Sequence, residues 1–247
     1  MSADQQGLPS VWTRPQRSRR DQPALSRDQI VSAALELLDA EGIDALSMRK
    51  LGTRLNAGAT SMYSHVANKD ELIELVVDEV YGEIDLTGID SSTDWRTAVT
   101  RLAHGLRNGF LRHPWIASAL GQVGMAALGP NLLRLSEALL GVFEEAGYSL
   151  QAAEQGMNTV SAYVIGVAST EAATLALLAR SGQSQQEWVE RFWPVAEQAV
   201  QGYPRLRRLY AAQREGFDVD STRGDSFDEG LACILDGLEA RRRLGDG

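Results

Sequence analysis

The sequence predicts an all-α protein in two parts, and three observations predict it. Apolar residues recur at three- and four-residue spacing from Ile30 to Leu238, and no stretch sustains two-residue alternation, so helices are expected and sheet is not. Start and stop residues flank the periodic runs: Ser26, Ser47 and Asn68 at starts, Gly42, Gly147 and Gly182 at ends, with Pro130 and Pro204 suited to first turns. The charge is also divided. Residues 1–69 carry nine Lys and Arg against seven Asp and Glu, whereas the remainder carries 15 against 26, giving −9 for the 247-residue chain.

Residues 1–24 are expected to form a disordered basic arm, with Pro9, Pro15 and Pro23 and the cluster Arg14, Arg17, Arg19 and Arg20. Two readings stay open for it: a solvated tail, or an arm that follows a DNA backbone or enters a minor groove. Ser26 with Gln29 makes a capping box, and Ile30, Val31, Ala34, Leu37 and Leu38 line one face of the helix it opens. Gly42 stops that helix. Ser47 caps a second short helix through Met48, Leu51 and Leu55. Asn56, Ala57 and Gly58 form a turn, and a third helix covers residues 59–65. Asn68 and Glu71 predict a capping-box-like start, opening a fourth helix that buries Leu72, Ile73, Val76, Val77, Val80 and Ile84. Residues 25–84 are therefore one unit, and residues 85–247 a second, helical one. After a linker at 87–93, helices are expected over 94–112, 115–123 (short and irregular), 130–146, 149–180, 184–201, 204–215 and 227–243.

Several classes of function are set aside. The single cysteine, Cys233, excludes an intrachain disulfide and a cysteine zinc cluster. Residues 1–10 lack the apolar core of a signal peptide. Residues 159–179 match a membrane span in length. Their Glu171, their Ser, Thr and Ala content, and the lack of basic or aromatic flanks at both ends predict a helix buried between others. No membrane partner and a cytoplasmic location are expected. The sequence contains no HExxH, no GxSxG, no phosphate loop and no metal-ligand cluster, so neither an enzyme nor a cofactor is expected. Glu144 and Glu145 are adjacent on a helix and point to different faces, as solvated residues do. The acidic total at first argues against nucleic acid, but salt screens beyond about 8–10 Å, so the local basic balance of the N-terminal part is what counts.

The informative segment is 46–72, LSMRKLGTRLNAGATSMYSHVANKDEL. Two short helices joined by a tight turn are the helix-turn-helix pattern. Leu51, Leu55, Met62 and Val66 pack it on the first helix, and the rest of the third helix is small or polar: Ala59, Thr60, Ser61 and Ser64. Such a face fits a major groove about 12 Å wide. Tyr63 and His65 can reach phosphates or bases. Arg49, flanked by Ser47 and Lys50, opens the second helix, and Lys69 opens the fourth, where backbone N–H groups can also hold a phosphate. Taken singly, Tyr63 reads equally well as a core aromatic and His65 as a structural histidine; their joint spacing favours function.

This run, with Tyr63, His65 and Lys69 leading into the fourth helix, resembles the DNA-binding domain of TetR-family (tetracycline-repressor-like) regulators over residues 27–84. The resemblance implies that Arg49 contacts bases or phosphate, that Tyr63 and His65 grip the backbone, and that Lys69 anchors the fourth helix to it. The base-reading positions would be Ala59, Thr60 and Ser61. Residues 94–240 are similar to the family's ligand-binding and dimerisation domain, which implies a homodimer through a four-helix bundle of the long helix after Ser149 and the last helix. Phe227, Leu231, Ile234, Leu235 and Leu238 supply the apolar stripe this needs, although such a stripe also suits a monomer core. The expected partners are double-stranded operator DNA and a small-molecule inducer. Candidate pocket residues are Leu106, Phe110, Trp115, Leu120, Met125, Leu139, Leu140 and Met157, with Ser136 and Ser161 as polar contacts. In tetracycline-binding members a histidine holds the drug's magnesium ion; the matching segment, 118–122, has none, so that inducer is not expected. The implied function is a repressor released by its ligand. An activator of the same fold, or a helical small-molecule-binding protein without DNA binding, is the alternative.

Overall fold

A computed structural model describes residues 25–89, 93–123, 129–182, 184–215 and 219–245. The expected basic arm and Met125 lie outside them. Among the described residues are eleven α-helices, one 3-10 turn and no strand.

The N-terminal unit, or head, packs α1 (Arg27–Glu41), α2 (Met48–Arg54) and α3 (Ala59–His65) around Ile30, Leu37, Leu51, Met62 and Val66, each at most 1% exposed. Burying each such side chain contributes roughly 1.5–3 kcal/mol, which holds two helices too short to be stable alone. Ser26 makes both bonds of its capping box. Gly42 ends α1 at φ 79°, a conformation that L side chains rarely adopt. A 3-10 turn at Ile43–Ala45, not foreseen from the sequence, follows it. The Ser47 hydroxyl accepts the Lys50 N–H at 3.2 Å. Asn56, at φ 49°, turns the chain between α2 and α3.

α4 (Lys69–Gly82) leaves the head and enters the C-terminal bundle, packing on α1 along part of its length and on α6 and α7 along the rest. Its start resembles a capping box, as expected, without closing one. Asn68 accepts the Glu71 N–H at 2.8 Å, but the Glu71 carboxylate accepts from Ala67, one residue earlier than the reciprocal bond requires. The helix also ends at Gly82, so Ile84 is buried from the segment beyond it.

The bundle contains α5 (Trp95–Arg112), α6 (Ile116–Val123), α7 (Pro130–Glu145), α8 (Leu150–Ser181) and α11 (Val219–Arg243), while α9 (Gln185–Ala199) and α10 (Pro204–Glu215) pack on each other. Buried Asp78 of α4 ties the bundle to the connecting helix: it accepts N–H bonds from Asn131 at 3.1 Å and Leu132 at 3.0 Å in the first turn of α7. Gly129 permits this approach, because a Cβ there would overlap the Asp78 carboxylate. Burial, reinforced by the Asp78 charge, pushes the neighbouring Tyr81 hydroxyl above its ordinary pKa.

Two expectations need correction. The last helix begins at Val219, eight residues before Phe227, because the polar turn before the apolar stripe is itself helical. The long helix is not buried between others within one chain: only 22% of its most apolar 18-residue window is covered, although its length and composition would suit a membrane crossing. Ala153, Val160, Val164, Ala168 and Ala172 face the bundle. On another side Ala162, Gly166 and Thr170 are exposed, as is Leu177. Periodicity identified the apolar faces but not how far this chain covers them.

Candidate nucleic-acid interface

α3 is anchored by Met62 and Val66, both 0% exposed, and this anchoring turns the opposite residues outward. Thr60 and Ser64 are exposed and Tyr63 is 52% exposed, so Tyr63 is not a core aromatic. Ser61 and His65 are half-buried, and the side chain of Ala59 is outside the described set. The Ser64 hydroxyl donates to the Ser61 carbonyl at 2.7 Å. A cleft of about 680 Å³ between α2 and α3 brings Arg49, Thr53, Asn56 and Tyr63 together.

The cations around this face differ in their engagement. Arg49 is exposed and has no ion-pair partner among the described residues. Lys50 is paired with Glu41, and Arg54 with Glu36 at 2.7 Å, so carboxylates of α1 offset both. Lys69 is half-buried and its Nζ donates to the Ile43 carbonyl at 3.3 Å. That bond ties the start of α4 to the 3-10 turn, a long-range contact that no local pattern signals. Ser47 is exposed, with its hydroxyl used in the cap of α2.

The candidate pocket residues are spread over four neighbouring elements of the bundle. Leu106 and Phe110 on α5, Trp115 just before α6 and Leu139 on α7 are buried in one continuous core. Leu140 and Met157 pack against it. Ser136 and Ser161 are half-buried, and the Ser136 hydroxyl donates to Leu132 O of its own helix at 2.9 Å. The side chain of Leu120, like Met125, falls outside the described set. Trp115 has a second attachment: its Nε1–H donates to Asp39 of α1 at 2.8 Å.

Sequence reasoning missed a set of polar contacts on the α8–α11 side. Arg107 and Glu171 form a two-pronged pair at 2.8 and 3.0 Å, with both side chains largely buried. Glu171 had counted only as an argument against a membrane span, since its partner lies 64 residues away. Tyr163 stacks on Phe227 and its hydroxyl donates to the Phe227 carbonyl at 2.9 Å. Beside them Ala162, Gly166, Val167 and Thr170 floor an open groove of about 750 Å³.

Two family models and several known proteins match the chain. The family described as "Bacterial regulatory proteins, tetR family" matches residues 30–76, and "Tetracyclin repressor-like, C-terminal domain" matches residues 87–242. An HTH-type transcriptional regulator of Saccharopolyspora erythraea is 41% identical over 244 residues, which is 97% of this chain and 95% of the relative. The HTH-type transcriptional repressor DrrR1 of Streptomyces coeruleorubidus is 29% identical over 96% of this chain and 87% of its own. The structure of the TetR family protein ActR from Streptomyces coelicolor in complex with actinorhodin superposes with a TM-score of 0.72 at 30% identity, covering 89% of this chain and 97% of ActR.

Proposed function

The chain belongs to the tetR family of bacterial regulatory proteins, and from that membership we propose a specific function for it: a repressor that holds a palindromic operator as a homodimer and releases it when a small, largely apolar molecule enters the C-terminal bundle. One observation carries the reading. α3 presents Thr60, Tyr63 and Ser64 to solvent beside Arg49, which has no ion-pair partner among the described residues, while Met62 and Val66 fix the helix from behind. This is the arrangement that a major groove accepts.

In this reading Arg49, Tyr63, His65 and Lys69 contact the phosphate backbone, with Ser47 and Lys50 beside them, and Ala59, Thr60, Ser61 and Ser64 face base edges. Lys69 exchanges its bond to Ile43 for a phosphate oxygen. Two such helices bind one palindrome when they sit about 34–36 Å apart. The uncovered apolar side of α8 and the adjoining α11 face supply the second-copy interface, which also accounts for an apolar helix without a membrane partner in a cytoplasmic protein. The ligand occupies the core around Leu106, Phe110, Trp115, Leu120, Met125, Leu139, Leu140 and Met157, with Ser136 and Ser161 as its polar contacts. The actinorhodin complex of ActR supports a ligand role for the equivalent domain. α4 carries the effect to the head, and a ligand preferring one head position by about 1–3 kcal/mol suffices to regulate binding.

The test is selection of bound sequences from random DNA. The expected product is a palindrome with half-site centres one helical turn apart, bound with an affinity that falls steeply with salt. A dimer that enriches no sequence, or a salt-independent affinity, overturns the reading.

A further inference from the structure

The seam between head and bundle holds a polar knot that operator contact does not use. Asp39, near the end of α1, accepts two bonds on Oδ1, one from His113 Nδ1 at 2.7 Å and one from Trp115 Nε1 at 2.8 Å. His113 Nε2 lies 3.1 and 3.2 Å from the two oxygens of Glu83, which caps the end of α4. Arg112 of α5 pairs with the same Glu83. The histidine is 3% exposed, whereas both carboxylates stay partly open to water.

The backbone that carries the ring is held in place. His113 caps α5 through its N–H to the Gly109 carbonyl at 2.9 Å, and its own carbonyl accepts the first N–H of α6, from Ile116, at 3.0 Å. Its backbone is thus the corner between α5 and α6. A neutral imidazole has one N–H and would turn a lone pair toward one of the two carboxylates; only the imidazolium donates to both. The charges facing the ring are Asp39 from α1, Glu83 from the end of α4 and Arg112 from α5. With the ring protonated, two positive groups meet two negative ones. Without the proton the knot carries a net negative charge.

Resting on the repressor reading, we propose that Asp39, His113 and Trp115 form a proton-held clasp that fixes the head against the α5–α6 corner. His113 is a positioning residue: it acts on operator binding through Asp39 and touches no DNA. Loss of the proton removes one of the two bonds to carboxylates. The head then samples more orientations, and ordering it on DNA lowers the affinity.

The experiment has two parts on the full chain. The first follows tryptophan indole N–H resonances without DNA from about pH 6 to about pH 8, the range in which histidine ordinarily titrates. Trp115 is assigned by its disappearance in Trp115→Phe. Its resonance is expected to move through a single transition, and to stay still in His113→Gln. The second measures affinity for the selected operator across the same range in a His65→Gln background, since His65 lies on the reading helix. Affinity is expected to fall about tenfold from the lower to the higher pH, and to become flat with His113→Gln. Asp39→Asn, a change at the open rim of the knot, is expected to flatten it equally, which covers a failure of His113→Gln to fold. A Trp115 resonance that is stationary, or that moves equally in His113→Gln, overturns the clasp. A moving resonance with pH-independent operator affinity overturns its connection to the head. Failure to bind any duplex would sink the repressor reading instead, and the resonance titration would still decide the clasp.

Discussion

α3 and α8 both leave one side uncovered, and the chemistry of the two sides is opposite. α3 shows hydroxyls and an arginine neighbour around Tyr63. α8 shows Ala162, Gly166 and Thr170, with Leu177 51% exposed. A polar face is stable in water and can bind and release. The small and apolar stretch from Ala162 to Leu177 costs free energy where it is wet, at roughly 25 cal/mol per Å² of apolar surface, and is suited to cover, while the same side nearer the helix start carries Gln155, Asn158 and Thr159. On the proposed function, the contrast separates a transient contact with DNA from a lasting one with a second copy.

The hardest blow to that contrast is Gly166→Arg. A Cβ at Gly166 meets nothing within 4 Å among the described residues and the site opens on a groove, so the fold is expected to persist. If the proposed dimer is sealed here, the charge is forced into its seam and weakens dimerisation about a thousandfold, equivalent to about 4 kcal/mol. Sedimentation velocity checks this; an unchanged dimer would mean that the uncovered side of α8 is not the seam. Asp78→Ala comes next. It leaves the first-turn N–H groups of α7 without their carboxylate and is expected to cost about 2–3 kcal/mol in chemical denaturation. Tyr63→Phe tests the transient side. Loss of one hydroxyl–phosphate bond per head is expected to lower operator affinity about tenfold with thermal stability unchanged, as read by anisotropy and calorimetry. The smallest change sharpens the picture. Glu41→Gln frees Lys50 from an exposed ion pair worth about 0–1 kcal/mol. Operator affinity is expected to rise about two- to threefold, with a steeper salt dependence. A weaker operator complex would show that Glu41 holds Lys50 in place for DNA.

The head was legible because its determinants are local. Ser26 and Gln29, Ser47 and Lys50, and Asn68 and Glu71 are each separated by three residues, and every pair marks a real helix start. Met62 and Val66 announce the buried side of α3, so the outward side followed by elimination. What stayed illegible is contact between distant residues. Asp78 meets the first turn of α7 across more than 50 positions, and Asp39 meets His113 across 74. Neither spacing has a period to read. The exposure of α8 was hidden for another reason: an apolar stripe looks the same whether its cover comes from this chain or from a second copy. The 3-10 turn after α1 is too short, and the first turns of α11 too polar, to show a helical apolar period.

The missing side chain at Gly129 has a mechanical consequence. Because the α4 carboxylate can close on the start of α7, the point about which α4 would tilt lies inside the bundle. From Asp78 to Lys69 is nine residues, an arm of about 14 Å. A tilt of about 5° at Asp78 would become a stroke of about 1.2 Å at Lys69, near two-fifths of the length of a hydrogen bond. A bulky residue at position 129 would part α4 from α7 and remove that fixed point.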